Sequence, residues 1–237
     1  MSSYPKRGLH GRVVQVVGQR IAQGVLAPDD AIDVEALGCE FGVSRTVVRE
    51  SLKVLAAKGL VDARPKRGTF VRPRSDWSLL DPDLLRWRFA GPPDARFLHD
   101  LAELRQIIEP AAARLAAGRR TPEQLATLER AVAAMERAAA ATPAAREATT
   151  AVISFHGTLL RAAGNELLER MEAVIEAGLR GAHHQLHESD HWAATTRAHR
   201  AVLAGIRAGD PDAADQAMAA LLRQVAADTA AALARAS

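Results

Sequence analysis

Arg45, Thr46, Arg49 and Lys53 recur at three- and four-residue spacing behind Ser44, while Val47, Val48, Leu52, Val54 and Leu55 make the apolar stripe of the same stretch. That is an amphipathic helix with a cationic face, opened by the Ser44 hydroxyl as cap. Two arginines one turn apart can offer guanidinium forks to guanine edges or phosphates; a solvated charged face is the plainer alternative. A second basic group, Lys66-Arg67-Gly68, stands at the turn between the β-rich runs LVDAR and GTFVR, where Gly68 tolerates positive φ. Arg105 offers different chemistry. It shares a helical stretch with Leu101, Leu104, Ile107 and Ile108, and could clamp a carboxylate through two N–H donors or pair with Glu109 one turn later. His183, His184, His187 and His191 cluster around Asp190; a zinc site is conceivable there, a solvated or dimer-facing stripe is the other reading. The sequence has no G-x-G-x-x-G or P-loop pattern, so a nucleotide-binding reading lacks support.

The elements that must carry these groups follow from apolar spacing and breakers. Val13, Val14, Val16, Val17 and Ile21 predict a first helix from Leu9 to Gly24, and Asp33 caps a second that carries Leu37 and Phe41, with Cys39 expected as a small core residue. Gly42 closes that helix and Gly59 stops the next, before the hairpin. Two helices across a tight turn followed by a hairpin predict a winged helix-turn-helix, whose second helix fits the major groove while the wing reaches phosphates or the minor groove. Residues 1–75 form this domain, 76–93 a Pro-containing linker, and 94–237 a second domain of helices. Trp77 and Trp87 are expected to pin the linker to the second domain. The predicted spans there are 94–118, 122–140, 144–163, 165–186, 191–208 and 211–235, with Asn165 either a helix C-cap or a ligand contact and Trp192 either core or the cover of a pocket mouth. The fold class is therefore mainly α.

Charge is divided unequally. Residues 1–75 hold 13 Lys or Arg against 7 Asp or Glu, a balance of +6, whereas the remainder has 18 against 21, a balance of −3. A basic module followed by a mildly acidic one suits a reader of nucleic acid joined to a separate sensor. The one cysteine permits no internal disulfide, and no apolar run approaches the roughly 20 residues that span a bilayer. A cytoplasmic protein without a membrane partner is expected.

The motifs GVSRTVVRE, LAAKGLV and RGTFV together resemble the DNA-binding domain of the GntR family of bacterial transcription regulators. LRQIIEPAAARLAA, ISFHGTLLRAAGNELL and HRAVLAGIRAGDPDAADQAM resemble the ligand-binding bundle called FCD in its FadR-like branch. The resemblance implies a homodimeric, effector-responsive regulator, expected here to be a repressor that binds operator DNA. It implies DNA contacts from Ser44, Arg45, Thr46, Arg49, Lys53, Lys66, Arg67 and Gly68. The junction GTFVRPRSDWSLLDPDLLRW is similar to that of members answering to sugar acids, so a small carboxylate, a sugar acid first, is the expected effector, with Arg105, His156, Asn165, Trp192 and His199 as its candidate contacts. Many members hold a divalent metal such as zinc on a carboxylate and three histidines. Here His156 and His199 fill two of those positions, whereas Val152 and Leu221 stand at the other two; hydrogen bonding to the effector and a plain core role are the alternatives for the two imidazoles.

Overall fold

The computed structural model describes residues 8–64, 68–90, 95–140, 145–183 and 189–236. The chain divides into two compact units, Met1–Pro93 and Asp94–Ser237.

In the first unit, α1 (Leu9–Ala22), α2 (Val34–Phe41) and α3 (Arg45–Ala57) enclose a core of Val13, Val14, Val17, Ile21, Val48, Leu52 and Leu55. Local chemistry sets the helix ends. Asp33 Oδ1 accepts from the Glu35 and Ala36 amides at 2.8 and 3.0 Å, and Ser44 Oγ accepts from Val47 N at 3.4 Å. Gly42 and Gly59 close α2 and α3 at φ 63° and 77°, a conformation that costs glycine little. The expected hairpin is present as β2 (Val61–Arg64) and β3 (Gly68–Val71), antiparallel with Val61 opposite Val71 and Arg64 opposite Gly68. A strand not anticipated, β1 (Ala31–Ile32), pairs with the other edge of β3, giving the order β1-β3-β2. Cys39 is exposed, not in the core. The inward stripe of α2 is Val34, Leu37, Gly38 and Phe41, which leaves Cys39 on the face of Glu35 and Glu40.

The segment expected to be a linker folds onto this unit. A 3-10 turn at Arg74–Asp76 leads into α4 (Pro82–Phe89), capped by Asp81 with proline at its first position. Lys58, only 4% exposed at the end of α3, places Nζ 2.8 and 2.9 Å from the Asp81 carboxylate oxygens and 2.9 Å from Asp83. Trp87 is fully buried against α1, where a β-carbon on Gly18 would lie 2.4 Å from its ring; Gly18 makes that approach possible. Trp77 packs on the same core and donates from Nε1 to Arg72 O at 3.0 Å. Both tryptophans thus serve the first unit, not the second.

The second unit is a bundle: α5 (Ala95–Arg119), α6 (Pro122–Ala140), α7 (Ala145–Ala162), α8 (Glu166–Arg170), α9 (Glu172–His183), α10 (Ser189–Ala208) and α11 (Pro211–Ala236). The helix expected over 165–186 is two, with Met171 between them. Alanines 112, 113, 116 and 117 line the buried side of α5, and small side chains let α7, α10 and α11 pack closely on it; Phe155, Leu159 and Leu160 of α7 fill the middle.

Candidate nucleic-acid interface and buried polar site

The outer face of α3 carries Arg45, Thr46, Arg49 and Lys53, all exposed, while Val48, Ser51, Leu52 and Leu55 are buried. Ser51 Oγ donates to Val47 O at 2.9 Å, and lies 3.3 Å from His10 O, which ties the inner face of α3 to α1. Two of the cations have partners. Arg45 pairs with Glu35 of α2, and Lys53 Nζ is 2.8 Å from Glu50. Arg49 and Thr46 have no ion pair or side-chain hydrogen bond among the described residues, so their donors face water. Gly68 opens β3 at φ 80°; Lys66 and Arg67 lie outside the described residues. Beside them, the Arg64 guanidinium stacks 4.5 Å from the Phe70 ring centre, an exposed cation that the sequence reading did not single out. Its signal was there: a basic residue on the last strand position before the wing tip.

A second constellation is enclosed by α5, α7 and α10. Arg105 Nε donates to Glu109 Oε1 at 2.6 Å, and Arg105 Nη2 lies 3.3 Å from His156 Nε2. His156 Nδ1 is 2.5 Å from Glu109 Oε2, close but poorly aligned for a hydrogen bond. His199 donates from Nδ1 to Thr195 O at 2.7 Å, and its Nε2 is 3.2 Å from His156 Nε2. Glu109 is fully buried and His156 and His199 are each 1% exposed. Burial alone would raise the Glu109 carboxyl, but the Arg105 guanidinium and His156 outweigh it and hold the group at about 2. Burial first, and then the His156 ring, push His199 down to about 3 against the pull of the Thr195 carbonyl. At neutral pH Glu109 is therefore a carboxylate and His199 a neutral imidazole. Of the two readings of Arg105, the pair with Glu109 is the one formed, although Arg105 Nη1 makes no hydrogen bond with any described residue.

Arg105 also lines a cavity of about 220 Å³ between α5, α9 and α11, walled by Leu98, Leu101, Gly178, Leu222, Val225 and Ala226. His156 and His199 are not on its wall. Asn165 is an exposed N-cap of α8, accepting from the Leu167 and Leu168 amides at 2.9 and 3.3 Å; it is not the C-cap expected, and it is not on the cavity wall. Ile107, expected among the apolar neighbours of Arg105, is 72% exposed. The side chains of Trp192, His183, His184, His187 and His191 lie outside the described residues.

Residues 9–71 match the model of the bacterial regulatory proteins of the gntR family, and residues 100–224 match the FCD domain. The chain belongs to the GntR family. This GntR regulator is 34% identical over 209 residues to the galactonate operon transcriptional repressor of Escherichia coli K12, covering 87% of this chain and 90% of that one. It is 32% identical over 152 residues to the HTH-type transcriptional regulator LutR of Bacillus subtilis, covering 64% and 66%. Its fold matches that of Lar, which controls expression of the agr system of Listeria monocytogenes, with a TM-score of 0.66 at 20% identity over 95% of this chain and 98% of that one. It is a DNA-binding transcription regulator and not an enzyme.

The donor set of this FCD domain does not fit a resident divalent metal. The two Nε2 atoms, 3.2 Å apart, could both reach one ion. However, Arg105 Nη2 sets a permanent cation 3.3 Å from one of them, and Val152 and Leu221, buried to 2% and 1% exposure, supply only carbon. No helix among the described residues is long and apolar enough to cross a membrane.

Proposed function

We propose that this regulator is a cytoplasmic homodimeric repressor that leaves its operator when a small carboxylate enters the second unit. The observation that carries the reading is the division of labour between units. The first presents Arg49 and Thr46 unpaired on a helix sized for the major groove. The second has a guanidinium on the wall of a cavity. Arg49 reads base edges; Arg45, Lys53 and the wing residues Lys66, Arg67 and Gly68 hold phosphates, and Ser44 fixes the start of the reading helix. A dimer would place two such helices on a palindromic site, and effector binding would shift the population between arrangements that fit the operator and arrangements that do not. The name of the galactonate-operon relative supports a carboxylate effector.

The test is a mobility-shift titration on the promoter beside the protein's own gene, repeated with a panel of aldonates and simpler carboxylates. A specific shift reversed by one acid supports the reading. Equal retention of the promoter and random duplex, with a salt slope and no specificity ratio, would make the protein an architectural binder instead.

A further inference from the structure

We propose that the cavity between α5, α9 and α11 takes a short monocarboxylic acid with a hydrocarbon body, its carboxylate held by Arg105 Nη1. The inference rests on the carboxylate-effector reading above and narrows it away from polyhydroxylated sugar acids.

Three observations carry it. The first is the state of Arg105. Its Nε–H is spent on Glu109 and its Nη2 faces His156, so the guanidinium is held in one orientation by buried partners on two helices. Its Nη1 donors have no partner among the described residues, and the residue borders the cavity. A pre-oriented guanidinium with unused N–H groups is a carboxylate receptor that needs no ordering on binding. The second is the chemistry of the walls. Leu98, Leu101, Leu222, Val225 and Ala226 present carbon. Thr229, the one hydroxyl-bearing residue among the described lining, already donates to Val225 O at 2.8 Å. The remaining polar groups, His99, Glu103 and Gln106, are exposed and stand at the rim. An aldonate carries a hydroxyl on nearly every carbon, and each one buried here would lose water without gaining a partner. The third is size. A volume of about 220 Å³ matches roughly seven water molecules, room for a short acid and too little for a long acyl chain.

Calorimetric titration of the full chain with hexanoate, 4-methylpentanoate, hexanamide and galactonate tests the assignment, alongside operator release by each. Hexanoate or 4-methylpentanoate should bind at least tenfold tighter than galactonate, and hexanamide should bind at least tenfold weaker than hexanoate. Ala226→Leu, which fills the cavity, should weaken the apolar acids at least tenfold; Ala226→Val makes the same test with less added volume should the larger variant unfold. The double variant Arg105→Gln/Glu109→Gln, which leaves no buried charge unpaired, should abolish the preference for hexanoate over hexanamide. Galactonate binding and releasing operator while the apolar acids do neither would overturn this assignment and leave the repressor reading standing. Apolar acids binding in an Ala226-dependent way without releasing DNA would uphold the site and overturn the release mechanism. Binding unchanged in Ala226→Leu and in the double variant would overturn the assignment whichever acid is preferred.

Discussion

His199 should make the second unit acid-sensitive in a pH window of its own. Buried at 1% exposure, with Nδ1 donating to Thr195 O, it stays neutral in the folded protein down to about pH 3. In the unfolded chain a histidine takes up its proton near pH 6.5. The folded value is thus depressed, so its contribution is complete above about 6.5 and is lost as pH falls, because only the unfolded state gains the proton. One proton corresponds to about 1.4 kcal/mol per pH unit, hence about 2 kcal/mol by pH 5. Glu109, held at about 2, begins to add its own loss only below its ordinary value of 4.5, which leaves the interval from about pH 6.5 to 4.5 to His199. The assay is urea denaturation of the full chain at several pH values across that interval, followed by helical circular dichroism, for the wild type and His199→Asn. Asparagine retains an N–H for Thr195 O and does not titrate. The variant should start less stable, because its side chain is smaller, but lose about 2 kcal/mol less than the wild type between about pH 6.5 and 5. Parallel pH profiles for the two proteins would refute the reasoning.

Further expectations concern the first unit. Lys58→Ala removes the buried ammonium that holds Asp81 and Asp83 and should cost about 2–4 kcal/mol in chemical denaturation, whereas Lys58→Met/Asp81→Asn/Asp83→Asn should recover most of it; a loss under about 0.5 kcal/mol for Lys58→Ala would contradict the role given to the cluster. Gly18→Ala drives a β-carbon into the Trp87 ring, and should destabilise by about 1–3 kcal/mol with a red-shifted tryptophan emission; unchanged emission and stability would show that α4 does not pack as described. Glu35→Gln frees Arg45 from its ion pair, and should tighten DNA binding about two- to fivefold with a steeper salt dependence; weaker binding would mean that Glu35 positions Arg45 instead of competing for it.

Much of this architecture is legible in the sequence because its signals are local. Ser44, Gly42 and Gly59 mark the ends of α2 and α3 through cap chemistry within four residues, and the hairpin follows from two β-rich runs around a glycine turn. What escaped the reading depends on partners far along the chain. β1 is two residues long and shows no alternation; it exists because β3 offers it an edge. The helix α4 does carry a local signal, Asp81 followed by Pro82, but the earlier Pro73 and the turn formers after it obscure it, and nothing near Trp87 reveals that Gly18 leaves room for its ring. In the second unit the i,i+4 spacing shows that Arg105 and Glu109 can pair. It does not show that the other carboxylate oxygen of Glu109 meets His156, or that His199 arrives from α10. The outer position of Cys39 is legible locally as well, since the spacing of Val34, Leu37, Gly38 and Phe41 assigns it to the outer face of α2.

The claim on which the account turns is that the exposed face of α3 reads sequence. Fluorescence anisotropy of wild type and Arg49→Ala on the promoter site and on a scrambled duplex, at one fixed ionic strength, tests it directly. The account predicts a loss of about 1–3 kcal/mol on the promoter site and a far smaller loss on the scrambled one. Equal losses on both would reduce Arg49 to a phosphate contact and contradict the claim.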